Sequence, residues 1–262
     1  MERHVPRKRF GQHFLHDADV IRRIIEALAP QPGQAIVEIG PGLGALTLPL
    51  LARVDELHVV ELDRDVIPRL QAACTGRGRL QVHAADALAF DFRALAPPGG
   101  KLRVVGNLPY NISTPLLFHL LTQAVVIADM LFMLQKEVVA RMVAQAGDAA
   151  YGRLSVSLAA QAEVEALFDV GRGAFNPPPK VESAVVRLIP RAAPFPIDDH
   201  PTYSRVVAMA FSQRRKTLGN ALRNLLTRDE IGRLDIDPQA RAERISPAQF
   251  ALLANHVAAR ED

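Results

Sequence analysis

Short apolar runs alternate with amphipathic ones over the first two-thirds of the chain. Ala35–Ile39, Leu57–Leu62, Leu80–His83, Leu102–Val105 and Val125–Leu134 are rich in Val, Ile and Leu and bounded by Gly, Pro or acidic residues. That pattern predicts strands buried on both faces. Helical periodicity over Ala45–Arg53, Asp65–Ala73, Ala87–Leu95 and Thr114–Leu121 separates them. A leading helix, Asp17–Leu28, carries Ile21, Ile24, Ile25 and Leu28 on one apolar face. Sixth and seventh strands are predicted at Val164–Val170 and Val181–Ile189. Alternation of strand and helix implies an α/β fold, a mostly parallel seven-stranded sheet covered by helices on both faces.

The pattern changes near Pro190. Pro190–Pro201 holds four prolines and no periodicity, so it reads as a linker. Beyond it, Phe211, Leu218, Leu222 and Leu225 recur at helical spacing, and Asp237-Pro238 and Ser246-Pro247 look like helix starts. The expected organisation is therefore a large domain over residues 1–190, with a basic arm at 1–12, and a small α-helical domain over 191–262.

Composition narrows the chemistry. One cysteine, Cys74, leaves no disulfide framework and no thiolate metal site within the chain, and His13 and His16 lack partners at zinc-site spacing. No metal is expected. No apolar run approaches the roughly 18 residues of a membrane span, and no apolar stretch follows the basic N-terminus, so a cytoplasmic location is expected. The net charge of +3 is small, but it is unevenly spread. His200 to Arg228 contains no acid yet carries Arg205, Arg214, Arg215, Lys216, Arg223 and Arg228, and the arm adds Arg7, Lys8 and Arg9. Clusters of this kind suit a polyphosphate partner, although a solvated helix face has the same composition.

Three features fall at successive strand ends. Gly40-Pro41-Gly42-Leu43-Gly44 follows the first strand and opens a helix, letting backbone approach a ligand. Its spacing is not the Gly-x-Gly-x-x-Gly of a pyrophosphate cradle, which argues against a nicotinamide dehydrogenase. Glu61 ends the second strand, where a carboxylate can accept ribose hydroxyls, and Asp86 follows the third, placed to accept from an adenine amine. Each alone is as readily a loop acid or helix cap; together they imply an adenosine-bearing cofactor.

Asn107-Leu108-Pro109-Tyr110 follows the fourth strand. The exocyclic amine of adenine is a poor nucleophile because its lone pair is delocalised into the ring. The Asn107 side-chain oxygen and the Leu108 carbonyl supply two acceptors that hold it for attack. Pro109 biases Leu108 toward extended backbone and adds no competing N–H. Tyr110 offers a stacking face for a base that has left its helix. No strong general base is needed if alignment and electrostatics do the work.

With these motifs in place, the chain resembles the ribosomal RNA adenine N6-dimethyltransferase family, in particular its bacterial small-subunit branch. The matching stretches are Arg7–Leu15, Glu38–Gly44, Asn107–Ser113, Leu134–Glu137, Phe175–Val181 and Phe211–Lys216, in family order across nearly the whole chain. The resemblance implies a Rossmann-like, doubly wound methyltransferase domain and S-adenosylmethionine as cofactor. It implies that His13 and Leu15 lie against the methionine part of the cofactor, Gly40 and Gly42 under it, Glu61 on its ribose and Asp86 on its adenine. Asn107 and Tyr110 would face the target base, with Phe175 closing its other side unless it is a core residue beside a rigid loop. The implied reaction transfers two methyl groups to each of two adjacent adenines near the 3′ end of small-subunit rRNA, in a partly assembled subunit. A monomer is implied. A large-subunit relative conferring macrolide resistance, and a non-catalytic assembly or RNA-binding factor with the same fold, are the rival readings.

Phe211 to Leu226 is predicted as an amphipathic basic helix flanked by Arg214, Arg215 and Arg223, with Arg214, Arg215 and Lys216 gripping rRNA phosphates at the domain junction. Replacing those three by Gln is expected to weaken RNA binding and to reduce the slope of log K against log salt by roughly 2 to 3, at about 0.7–0.9 per phosphate contact. Titrations from low to high salt check this; affinity unchanged at every salt concentration contradicts it.

Overall fold

A computed structural model describes residues 13–213 and 215–261. The chain divides into two compact units, Met1–Val139 with Glu165–Pro190, and Ala140–Val164 with Arg191–Asp262.

In the first unit the elements run β1 (Phe14–Leu15), α1 (Ala18–Leu28), β2 (Ala35–Ile39), α2 (Thr47–Leu51), β3 (Glu56–Glu61), α3 (Ile67–Cys74), β4 (Arg79–Ala84), β5 (Leu102–Asn107), α4 (Ser113–Leu121) and β6 (Ile127–Gln135). Helices α5 (Lys136–Val143) and α6 (Arg153–Ala159) follow, then β7 (Ala162–Val170), β8 (Phe175–Asn176) and β9 (Ser183–Pro190). Seven strands form one sheet in the order β4-β3-β2-β5-β6-β9-β7, while β1 and β8 form a separate antiparallel pair. The pairs β4/β3, β3/β2, β2/β5 and β5/β6 are parallel, and β6/β9 is antiparallel. The chain starts in the middle at β2, winds out to β4, then crosses back to β5. The winding therefore reverses between β2 and β5, and in open α/β sheets ligands bind at the carboxyl ends beside that reversal.

Burial explains the sequence pattern. Ile36, Val37, Leu57, Val59, Val104, Val105 and Phe132 are 0% exposed, as expected for central strands covered on both faces. Helix α1 is capped by Asp17, whose Oδ1 accepts from Asp19 N–H at 2.9 Å and Val20 N–H at 3.0 Å. Its Ile24, Ile25 and Leu28 enter the core.

One predicted helix is absent. Ala87–Leu95 forms a turn and then a 3₁₀ segment, Phe92–Leu95. Side chains take the backbone donors a helix would use. Gln123 Oε1 accepts from Phe92 N–H at 2.8 Å, and Asp91 Oδ1 and Gln123 Oε1 accept from Arg93 N–H at 3.2 and 3.3 Å.

The second unit is helical. Besides α6 it contains α7 (His200–Ala210), α8 (Leu218–Ala221), α9 (Arg228–Arg233) and α10 (Pro247–Glu261). Residues 140–164, assigned from sequence to the first domain, belong here. Tyr151, Val156 and Ala160 share a core with Tyr203, Leu218, Leu222 and Phe250, and Tyr151 Oη donates to the Ile245 carbonyl at 2.8 Å. The second segment of the first unit ends at Pro190; of the stretch 190–201 read as a linker, Phe195 and Ile197 pack against the helical core and His200 and Pro201 open α7.

The predicted basic helix over Phe211–Leu226 does not form as one element. Helix α7 ends at Ala210, and the next helix is the four-residue α8. Ser212 Oγ donates to the Met209 carbonyl at 2.7 Å, and backbone donors that would extend a helix are diverted: Leu218 N–H to the Ala240 carbonyl at 2.7 Å, Gly219 N–H to that of Pro238 at 2.9 Å. Apolar spacing survives because Leu218, Leu222 and Leu226 still fill the core. Asp237-Pro238 is likewise a turn, with Asp237 Oδ1 accepting from Gln239 N–H at 2.8 Å, whereas Pro247 does open α10.

Candidate active site

A cavity of about 340 Å³ opens at the carboxyl ends of β2, β3, β4 and β5, a volume typical of a small-molecule site. His13 to Leu15, the glycine loop, Glu61, Asp86 and Asn107 to Ile112 line it.

The loop after β2 forms its floor. Gly40 and Gly42 have φ of 66° and 55°, left-handed values that side-chain-bearing residues rarely adopt. A Cβ at Gly42 would also meet the Phe14 ring at 3.2 Å. The loop is tied to the next strand, Gly40 N–H donating to the Val60 carbonyl at 3.0 Å.

Glu61 is held by backbone. Its Oε1 accepts from Asp63 N–H at 2.8 Å and its Oε2 from Gly42 N–H at 3.3 Å. Burial raises its pKa above the usual carboxylate value, and the backbone hydrogen bonds pull against that rise. Asp86 stands on the neighbouring strand end, its Oδ1 capping the turn at Leu88. Both carboxylates retain lone pairs for a ligand in the cavity.

Asn107 ends β5. Its Nδ2 donates to the His13 carbonyl at 3.1 Å. A carbonyl can only accept, so the amide nitrogen must face His13 and Oδ1 is turned the other way, available as an acceptor. Leu108 N–H donates to the Met133 carbonyl at 3.2 Å, which fixes the backbone just before Pro109. The half-buried Tyr110 is hydrogen-bonded through its hydroxyl to Ser183 Oγ at 2.8 Å, and its ring stacks on His13 with centroids 6.0 Å apart and planes 27° apart. Burial pushes the Tyr110 phenol pKa up. The His13 side chain is engaged elsewhere: Nδ1 donates to the Pro177 carbonyl at 2.8 Å.

Thus His13, Leu15, Gly40, Gly42, Glu61, Asp86, Asn107, Leu108, Pro109 and Tyr110 converge on one cavity. Phe175 does not join them. It is 2% exposed, pairs with Leu15 across the β1–β8 ladder and packs in the main core, so its ring is not presented to the cavity. Of the basic residues singled out, Arg7, Lys8, Arg9 and Arg214 lie outside the described residues. Arg215 and Arg223 are exposed and Lys216 is partly buried. Arg205 pairs with Glu261, and Arg228 donates to Asn220 Oδ1 at 2.9 Å, so these two are committed to internal contacts.

Sequence reasoning gave no role to Glu38 or Ser183. Glu38 interrupts the apolar run of β2, and an acid inside a doubly covered strand is the signal that was there to be read. It is 2% exposed and accepts from Thr47 Oγ1 at 2.6 Å. Ser183 is 0% exposed at the start of β9 and is recognisable only from its contact with Tyr110. Among the described residues no cluster of three or more His, Cys, Asp or Glu could hold a metal, and no helix is long and apolar enough to cross a membrane.

Sheet order, with a cavity at the strand ends beside a glycine loop, is that of a Rossmann-like nucleotide-binding domain. A dimethyladenosine transferase from Plasmodium falciparum superposes with a TM-score of 0.80 at 25% identity, covering 95% of this chain and 98% of its own. The 23S rRNA methyltransferase ErmE superposes with a TM-score of 0.72 at 26% identity, covering 94% and 99%. The family model for ribosomal RNA adenine dimethylase matches residues 3–259. A protein of Laribacter hongkongensis named ribosomal RNA small subunit methyltransferase A is 57% identical over 97% of both chains. The chain belongs to the ribosomal RNA adenine dimethylase family.

Glu38 gives the site a pH signature. Burial pushes its pKa up to about 8, with the Thr47 hydrogen bond opposing and Glu61 adding to the rise. An unfolded glutamate loses its proton near 4.5, so between about 4.5 and 8 the folded state binds a proton that the unfolded state does not. The stability from this group is full below that window and is lost as pH rises through it. Glu38→Gln stays neutral throughout. Urea denaturation should show the variant gaining on the parent from about pH 5 to pH 8, by at most about 1.4 kcal/mol per pH unit; a pH-independent difference contradicts this.

Proposed function

We propose that the chain transfers methyl groups from S-adenosylmethionine to the N6 amino groups of two adjacent adenines near the 3′ end of 16S rRNA. Both adenines become dimethylated, within the assembling small ribosomal subunit, in the cytoplasm, by a monomer that uses no metal. The observation that carries this reading is the Asn107–Tyr110 turn opening onto the same cavity as Glu61 and Asp86. Family membership and relatives named small-subunit methyltransferase support the choice of substrate.

The donor set fits an adenosine-bearing cofactor: two carboxylates one strand apart, above a loop whose glycines keep Cβ atoms out of the cavity floor. Glu61 would accept from the ribose hydroxyls and Asp86 from the adenine amine, while His13 and Leu15 would contribute chiefly backbone and apolar surface beside the methionine part. The cofactor supplies an electrophilic methyl group on a sulfonium centre. The target adenine leaves its helix and stacks on Tyr110. Asn107 Oδ1 and the Leu108 carbonyl would accept hydrogen bonds from its amine, favouring pyramidal nitrogen with the lone pair free to attack; as the C–N bond forms the methyl–sulfur bond would break, the sulfur keeping the electron pair in S-adenosylhomocysteine. The cationic nitrogen so formed is acidic and would release its proton to solvent after the bond forms, so no strong base is needed, and the site acts by alignment and electrostatics. Arg7, Lys8, Arg9, Arg214, Arg215, Lys216 and Arg223 hold rRNA phosphates.

The test is incubation of the purified chain with labelled S-adenosylmethionine and small subunits from a strain lacking the modification, followed by nucleoside analysis. N6,N6-dimethyladenosine is expected, and Asn107→Ala should lower its rate of formation by about 100-fold or more. Cofactor binding without label in RNA would favour a non-catalytic assembly factor.

A further inference from the structure

The segment from Pro177 to Ser183, which leads from β8 into β9, reaches Tyr110 directly at its last residue and by way of His13 at its first. Its first residue accepts the His13 Nδ1 hydrogen bond at 2.8 Å, which fixes the imidazole that stacks on Tyr110. Its last residue, Ser183, reaches the Tyr110 hydroxyl at 2.8 Å. Ser183 is itself immobilised: it is 0% exposed and is set in the β6–β9 ladder opposite Gln135. The phenolic oxygen is the atom of Tyr110 farthest from its backbone, so anchoring it fixes the direction and plane of the ring. A half-buried ring without that anchor would keep its contact with His13 but could rock about χ1 and χ2.

We infer that Ser183 is a positioning residue for methyl transfer, holding the Tyr110 ring through its hydroxyl so that the stacked adenine presents its amine to Asn107. The inference rests on the reading that Tyr110 stacks on the target base. Its physical content is that Tyr110 needs an oxygen as well as a ring. Stacking alone is satisfied by any aromatic, whereas a displacement of about 1 Å in the reacting amine can cost up to about 100-fold in rate.

The experiment compares Ser183→Ala, Tyr110→Phe, the double variant, Ser183→Cys and Tyr110→Ala in the full chain, with labelled S-adenosylmethionine and undermethylated small subunits. Ser183→Ala and Tyr110→Phe should each lower kcat by about tenfold, with KM for the subunits and Kd for the cofactor unchanged. The double variant should be no slower than either single one, because both remove the same bond. Ser183→Cys should recover part of the rate through its weaker hydrogen bond. Multiplicative losses in the double variant overturn the inference, since Ser183 would then act independently of the phenol. Parent-like kcat in Tyr110→Phe with Tyr110→Ala inactive also overturns it, while leaving the stacking role intact. Full activity in Tyr110→Ala overturns the stacking role itself and the inference with it. Should Ser183→Ala fail to fold, Tyr110→Phe breaks the same bond from the other side and decides alone.

Discussion

Because β4, β3, β2 and β5 pair in parallel, their carboxyl ends finish at one edge of the sheet, and the residues that follow them are forced together. Ile39 lies opposite Val60, Glu61 opposite Ala84 and Glu38 opposite Val105. Gly40, which opens the glycine loop, Glu61, Asp86 and Asn107 lie at those pairs or within the next residue or two. A register slip of one residue in any strand would turn its terminal side chain to the other face. Burial makes such a slip costly, since the central strand residues are covered on both sides. The site is therefore specified by the same apolar patterning that specifies the fold.

A second layer of constraint comes from outside the main sheet. The short β1–β8 pair brings His13 against the end of β5, where its carbonyl sets the Asn107 amide and its ring lies on Tyr110. The orientation of the acceptor amide thus depends on two segments far apart in sequence. Backbone groups supply much of this constraint: the carbonyls of His13, Pro177 and Met133 orient side chains or backbone at the turn. Such a site can be preorganised without a costly buried charge pair.

What can be read from sequence follows from how local each signal is. Strand β2 is legible to the residue, because an apolar run bounded by Gln34 and Gly40 admits little else. The strand-end residues follow from it. Phe175 is misleading because its motif marks a position in sequence, while its partner Leu15 is 160 residues away and draws the ring inward. The basic segment after Phe211 keeps helical spacing of its leucines although the backbone is broken there. Where the chain turns helical again, Leu218 and Gly219 give their N–H groups to the carbonyls of Ala240 and Pro238, partners that no local pattern announces. Residues 140–164 do not reveal their place in the helical unit for the same reason: their apolar residues complete a core whose other members lie beyond residue 200.

In the proposed function, strand ends from the parallel part of the sheet form a single adenosine site beside the Asn107 turn. A crystal structure of the chain with S-adenosylhomocysteine tests that most directly. The expected result has ribose hydroxyls hydrogen-bonded to Glu61, the adenine amine on Asp86, and the sulfur end directed toward Asn107 and Leu108. A cofactor bound with its ribose away from Glu61, or outside this cavity, would contradict it.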